Sequence, residues 1–368
     1  MTTDTARDRA DLDAAVGSAA AVLGPGALRL APLGALTTYR VGGPAALRFT
    51  AGGPEDLCRV AEARAVSGLP VLVVGRGSNM LVSDAGFPGL AVLLDPAGFG
   101  ACQIDGHRVR AGAALALPAL ARRTAGAGLV GFEWAVGVPG SVGGAVRMNA
   151  GGHGSDIAAT LVGCRYADLA AAGTLVSAGP AALRLGYRRS AVAPHHVVVD
   201  AEIELAEGDK AAARHALEAI VSWRRAHQPG GQNAGSVFVN PASVNPASVN
   251  PASVNPASVN PASVNPASVN PASVNPAGDS TDRSAGWLVE AAGMKGHRLG
   301  TAAVSSKHAN FIQADAGGSA DDLRRLITTV QDAVTSRFGI FLETEVQMVG
   351  FGPGGAAPTA FPYTGASG

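Results

Sequence analysis

Two glycine-containing loops carry the first chemistry in this 368-residue chain. Glycine lets the backbone approach an anion closely and turn several amides toward it, so the loop Gly75, Arg76, Gly77, Ser78, Asn79 and the stretch Val138 to Ala145 (VPGSVGGA) can each cradle a phosphate. The first loop lacks the Gly-Lys-Ser/Thr of a nucleotide-triphosphate loop. It is also an incomplete dinucleotide fingerprint, since Met80 stands where a third glycine belongs. In the second loop Pro139 suits a helix start, while Gly140, Ser141, Gly143 and Gly144 keep the surface small and rich in amides. An ordinary turn is the competing reading of either loop taken singly. Near the C-terminus, Glu343 and Glu345 alternate onto one face of an expected strand. Burial and mutual repulsion there can raise one carboxyl's pKa and make it a donor, and a solvated acidic face is the plain alternative.

These residues need elements to hold them. Val71 to Val74 is a short apolar run entering the first glycine loop, as a strand does. Val197 to Leu205 alternates, with Val197, Val199, Ala201, Ile203 and Leu205 on one face and Asp200, Glu202 and Glu204 on the other, which predicts a half-buried strand. Ser319 can cap a helix together with Asp322, and Leu323, Leu326, Ile327, Val330 and Val334 then follow helical spacing up to Phe338 and Gly339. A strand from Ile340 to Val349 should follow at once. Short strands mixed with helices, without a steady βαβ rhythm, predict an α+β architecture rather than one doubly wound sheet.

The length suits an enzyme of two or three domains. Lysine plus arginine and aspartate plus glutamate each total 28, without a polybasic run, so no nucleic acid or membrane is expected as an electrostatic partner. The opening residues place Asp and Arg where a secretory leader needs an unbroken apolar core, and no stretch reaches the roughly 18 apolar residues of a membrane span. A cytoplasmic protein is the expectation. Cys58, Cys102 and Cys164 are odd in number and fit no CxxC spacing, so they read as reduced packing residues. No HExxH, paired Cys/His set or acidic calcium loop occurs, and no protein-held metal is expected.

From Pro241 to Asn275 the pentapeptide PASVN recurs seven times. Proline every fifth residue excludes a continuous helix and a central strand, and the odd period sends successive valines to opposite faces of any strand. The tract reads as a disordered, solvated loop inserted into a complete domain, with an adhesive or scaffold repeat as the alternative. Residues 351–368, rich in Gly, Pro and Ala, read as a second disordered tail.

Taken in order, the two loops, Thr37 to Gly43 (TTYRVGG), Met148 to Gly152 (MNAGG), Gly186 to Ser190 (GYRRS), Gln228-Pro229, Asn233 to Phe238 (NAGSVF), Ala285 to Val289 (AGWLV), Val304 to Asn310 (VSSKHAN) and Leu342 to Val346 (LETEV) resemble the UDP-N-acetylenolpyruvoylglucosamine reductase family, in its shorter subclass. The resemblance spans roughly residues 35–350. It implies an FAD-binding domain of the vanillyl-alcohol-oxidase type at 21–208, after an N-terminal segment 1–20, and a smaller α+β substrate domain at 209–350 interrupted by 241–275. It further implies hydride transfer from NADPH to FAD and then to the enolpyruvyl group of a UDP-sugar. By the same resemblance Tyr39, Arg40, Gly42, Gly75, Arg76, Gly77, Ser78, Asn79, Pro139, Gly140, Ser141, Gly143, Gly144, Asn149 and Gly151 face the cofactor, and Tyr187, Asn240 and Lys307 the substrate. Arg188 would stabilise the developing enolate, Ser236 would donate the proton, and Glu345 would be the catalytic carboxyl. Val239 departs from relatives that carry lysine there. A flavin-dependent oxidase on the same fold, or a non-catalytic binding protein displaying the repeat, are the alternatives; the oligomeric state is left open.

Overall fold

The computed structural model describes residues 2–241 and 284–352. All but the first residue of the PASVN tract, and residues 353–368 of the expected tail, lie outside them. The first unit is built on two sheets. One has four strands in the order Leu28–Pro32, Pro44–Ala51, Phe87–Leu94, Val71–Val74, its first pair antiparallel and the others parallel. The other is antiparallel, in the order Thr174–Ala178, Leu161–Asp168, His196–Glu204, Arg108–Gly112, Cys102–Asp105. The second unit pairs a three-stranded antiparallel sheet (Arg298–Leu299, Ala302–Val304, Ile312–Ala314) with the helices Ala285–Ala291 and Ala320–Phe338.

The strand expected around Val197 is present, but its alternation is not continuous. Arg165 pairs with Asp200 while the next residue, Tyr166, pairs with Val198, so Val199 is an extra residue in its strand. The bulge reverses the faces. Val197 and Val199 join the core beneath the four-stranded sheet, whereas Ala201 and Ile203 join the core beneath the helices Leu117–Ala127 and Val142–Met148. One strand thereby supplies two cores.

Unit boundaries follow packing. Val16, Ala19 and Leu23 of the helix Thr2–Leu23 are buried with Leu57 and Val60, which makes the N-terminal segment part of the first unit. The helix Lys210–His227 sends Ala213 and Leu217 into the first unit's core as well, although the sequence reading placed it in the second. Its apolar stripe meets the first unit before the chain crosses over.

Two of the contacts that join the units lie beside the first glycine loop and at the start of the second unit's long helix. Gln347–Val349 pairs in parallel with Met80–Val82, directly after the first glycine loop. Asp84 accepts hydrogen bonds from Ser319 Oγ (2.7 Å), the Ala320 amide (3.0 Å) and the Asp321 amide (3.1 Å), capping the long helix of the second unit from the first. Ser319 also caps that helix and Gly339 ends it in the left-handed conformation, as expected. The anticipated strand Ile340–Val349 shrinks to Gln347–Val349, because residues before it turn to meet Val237–Val239 instead.

Candidate active site

Three loops of the first unit meet beneath the second. Gly75 faces Ser141 so closely that a Cβ there would stand 2.8 Å from the serine Oγ, and the Thr38 amide donates to the Gly77 carbonyl at 3.0 Å. Ser141 is buried and caps the helix Val142–Met148, its Oγ accepting from the Gly144 amide. The helix therefore begins after Pro139, which is exposed; in its first turn the Gly143 amide donates to the Ala113 carbonyl (2.9 Å) and the Gly144 amide to Ser141 Oγ (3.4 Å). Thr38 Oγ1 is buried without a protein partner. A close-set cradle of glycine loops, with the orphaned Thr38 Oγ1 in it, fits a bound dinucleotide. Arg40 and Arg76 are exposed near its rim, Gly42 packs against Val82, and Ser78 lies beside Gly140.

The link from this cradle to the carboxylate is direct. Asn79 Nδ2 donates to the Glu345 carbonyl (2.9 Å), and the Gln347 amide donates to the Asn79 carbonyl (3.0 Å). The Glu345 amide in turn donates to Val237 (2.7 Å), and Val239 donates to Glu343 (2.9 Å), so NAGSVF and LETEV run side by side. Ser236 is half-buried just before this contact, and among the described residues its hydroxyl has no hydrogen bond to Arg188 or Glu345.

Glu345 receives Arg188 from the first unit, with Nε 2.9 Å from Oε1 and the two side chains only 21% and 18% exposed. Arg188 Nη2 donates to the Gly151 carbonyl at 2.9 Å, and its backbone is in the left-handed region at φ 55°. The Nε proton is poorly aligned on Glu345, so the contact is one of charge. Burial raises the Glu345 carboxyl above its ordinary range, and Arg188 opposes that rise. Glu343, by contrast, is exposed and plays no part in the shift, which corrects the expectation of mutual repulsion. The strand that would have aligned the two side chains is broken there.

Tyr187 stacks on the Arg188 guanidinium, 5.1 Å from Cζ to the ring centre, and its hydroxyl faces Asn240. Burial, chiefly, raises its pKa. Asn240 Oδ1 also accepts from the Ala285 amide (3.0 Å), which ties together the two ends of the chain flanking residues 242–283.

Some expected residues serve differently. The Tyr39 ring is fully buried in the second unit's core, its hydroxyl faced by the Ala234 amide, so the side chain is withheld from the cradle and its burial pushes the phenol pKa up. Asn149 is buried with its side chain wholly engaged: Nδ2 donates to Gly186 O (2.9 Å) and Asp156 Oδ2 (3.0 Å), and Oδ1 accepts from the Ala158 amide (2.9 Å). Lys307 Nζ donates to the Arg225 carbonyl at 2.7 Å, at the end of the helix Lys210–His227. Sequence reading passed over Asp84 and Asp156, because a short polar side chain in a loop carries no periodicity that reveals a distant partner. Among the described residues, Asp168, His195 and His196 bring three potential metal-ligand atoms within 4.8 Å of one another. His196 Nδ1 accepts from the Ala193 amide, so that nitrogen is already engaged, while Nε2 faces Asp168 Oδ2 at 3.9 Å, beyond hydrogen-bond length.

Comparison with known proteins agrees with this layout. The family profile described as "FAD binding domain" matches residues 44–179, and that described as "UDP-N-acetylenolpyruvoylglucosamine reductase, C-terminal domain" matches residues 227–349, beginning where the helix Lys210–His227 ends. A UDP-N-acetylenolpyruvoylglucosamine reductase of Synechococcus sp. is 37% identical over 326 residues, 87% of this chain and 92% of that protein. One from Rubrobacter xylanophilus is 35% identical and covers 87% and 94%. The crystal structure of the enzyme from Thermus caldophilus aligns with a TM-score of 0.66 at 30% identity, over 88% of this chain and 97% of that one. With a flavin-domain cradle, a reductase C-terminal domain and matches along nearly the whole length of its relatives, this chain belongs to the UDP-N-acetylenolpyruvoylglucosamine reductase family.

Proposed function

We propose that the protein reduces UDP-N-acetylenolpyruvoylglucosamine to UDP-N-acetylmuramate with NADPH as reductant, in a soluble cytoplasmic setting that supplies peptidoglycan precursors. The observation that carries this reading is the Arg188 to Glu345 pair, made by one residue from each unit at the mouth of the cofactor cradle. FAD, when bound, supplies hydride chemistry. Loops around Gly75–Asn79 and Pro139–Gly144 would hold its diphosphate.

The chain's own groups cover what remains. Hydride addition at the enolpyruvyl methylene pushes electron density toward the substrate carboxylate, and the planar guanidinium fork of Arg188 holds that density. Tyr187 and Asn240 sit beside it, suited to the substrate's polar groups. Ser236 donates the proton to the adjacent carbon, and Glu345, whose pKa burial raises and Arg188 lowers, lies against the guanidinium and supports that transfer. Among the described residues no helix is long and apolar enough to cross a membrane, which accords with the proposed setting.

The test is an anaerobic NADPH titration of the yellow protein. Bleaching that reverses on adding the enolpyruvyl UDP-sugar is expected; a protein that NADPH leaves yellow, or that only oxygen reoxidises, would exclude the reading.

A further inference from the structure

Arg188 leans on one carbonyl oxygen directly and on a second through the turn that carries it, and one residue, Asp156, meets the supports of both. Its Nη2 rests on the Gly151 carbonyl, while the turn that carries it begins at Gly186, whose carbonyl is held by Asn149 Nδ2. Asp156 reaches each arm. Its Oδ2 accepts from Asn149 Nδ2 (3.0 Å), its Oδ1 accepts from the Ala159 amide (3.2 Å), and its backbone pairs with Gly151 in a two-residue antiparallel contact. That contact is so close that a Cβ on Gly151 would lie 2.6 Å from the Asp156 Cβ.

The bonding leaves little slack. Asn149 has two donor hydrogens and one acceptor oxygen engaged, and its own backbone sits in the left-handed region at φ 41°. Its amide orientation is set by having a pure acceptor, the Asp156 carboxylate, on one side and the Ala158 amide on the other. Rotating that amide would put its oxygen against both Asp156 and the Gly186 carbonyl. Arg188, in a strained backbone conformation of its own, depends on such outside constraint to keep its fork aimed.

We propose that Asp156 is a positioning residue, which fixes the Asn149 amide and the Gly151 carbonyl and thereby holds the Arg188 guanidinium against Glu345 and the substrate carboxylate. The inference rests on the proposed reductase activity for its substrate side. Its structural side, the hold on Glu345, stands apart from that activity.

The test uses the flavin-loaded full chain with Asp156→Asn, which keeps side-chain size and one acceptor but turns an amide toward Asn149. Asn149→Asp, which removes the shared donor, is the second variant should the first fail to fold. Substrate-driven reoxidation is expected to slow on the order of 10²-fold, the usual effect of a small misplacement of a catalytic group. In an Arg188→Ala background the same substitution should change the rate by less than about twofold, because residues acting through one another are not additive. The carboxyl stretch of Glu345, identified by its loss in Glu345→Gln, should titrate at higher pH in Asp156→Asn than in the unmodified protein. Equal fold-losses in both backgrounds, or a Glu345 titration unmoved by either variant, would overturn the proposal. The infrared measurement needs no substrate, so it still decides the positioning claim if the UDP-sugar proves not to be reduced.

Discussion

Arg188 Nε and Glu345 Oε1 meet at 2.9 Å across the junction of the two units, and among the described residues neither makes a second salt bridge. The pair makes the site conditional on the units being docked. Each half alone would leave its member of the pair without the other.

Ser236→Ala should separate the two half-reactions. Flavin reduction by NADPH is expected to persist while reoxidation by the UDP-sugar falls by about 10² or more, the range of a lost proton donor. Stopped-flow absorbance of each half-reaction reads this out, and an equal loss in both would remove the serine from its role.

Glu345→Gln should abolish turnover yet leave melting temperature unchanged or raised at neutral pH. The folded carboxyl binds its proton more tightly than the unfolded one, whose ordinary value is 4.5. The native state therefore loses stability relative to the unfolded chain as pH rises from that value through the folded pKa. Glutamine stays neutral and escapes the loss. The difference in melting temperature between variant and parent is expected to grow with pH above 4.5 and to vanish below it; a variant less stable at pH 8 than at pH 4, relative to the parent, would contradict this.

Asp84→Ala removes an acceptor from three donors at the start of the second unit's long helix. A loss of about 1 to 2 kcal/mol is expected from denaturant midpoints, the range of a lost helix cap. Hydrogen bonds from Ser319 and the two amides outweigh its desolvation and hold the Asp84 carboxyl below its usual value of 3.8. The stability it gives is present above that value and disappears as pH falls through the lower, folded pKa. Parent and variant curves should thus converge only in strong acid.

Removing residues 241–275 should preserve folding and turnover. Asn240 and Ala285 hold each other directly, so both ends of the flanked segment are fixed by described contacts whatever its length. Loop closure varies with the logarithm of length and contributes on the order of 1 to 2 kcal/mol here. Calorimetry and steady-state assay of the deletion decide the matter, and a collapse in melting temperature would mean the tract carries structure.

Local signals made part of this molecule legible. Val71–Val74 and the helix capped by Ser319 and ended by Gly339 announce themselves through periodicity and caps, and both stand where their residues put them. Glu345 and Arg188 were legible as candidates only through the order of the motifs around them, since nothing local predicts that a loop arginine will meet a distant glutamate. The Val199 bulge was hidden because a sequence that alternates without interruption does not record an extra residue in its pairing. Tyr39 misled for a related reason: it lies in a glycine-rich loop, yet its ring serves the core of the other unit. The break before Gln347 was equally silent, being set by the competing hydrogen bonds to Val237 and Val239.

The parallel pairing of Gln347–Val349 with Met80–Val82 has a bearing on synthesis. As the ribosome releases the chain from its N-terminus, the turn at Gly75–Asn79 emerges long before the strand and the Glu345 carbonyl that fasten it. Nascent chains should therefore capture flavin poorly until Val349 is free, and premature termination anywhere upstream would yield apoprotein rather than a half-active fragment.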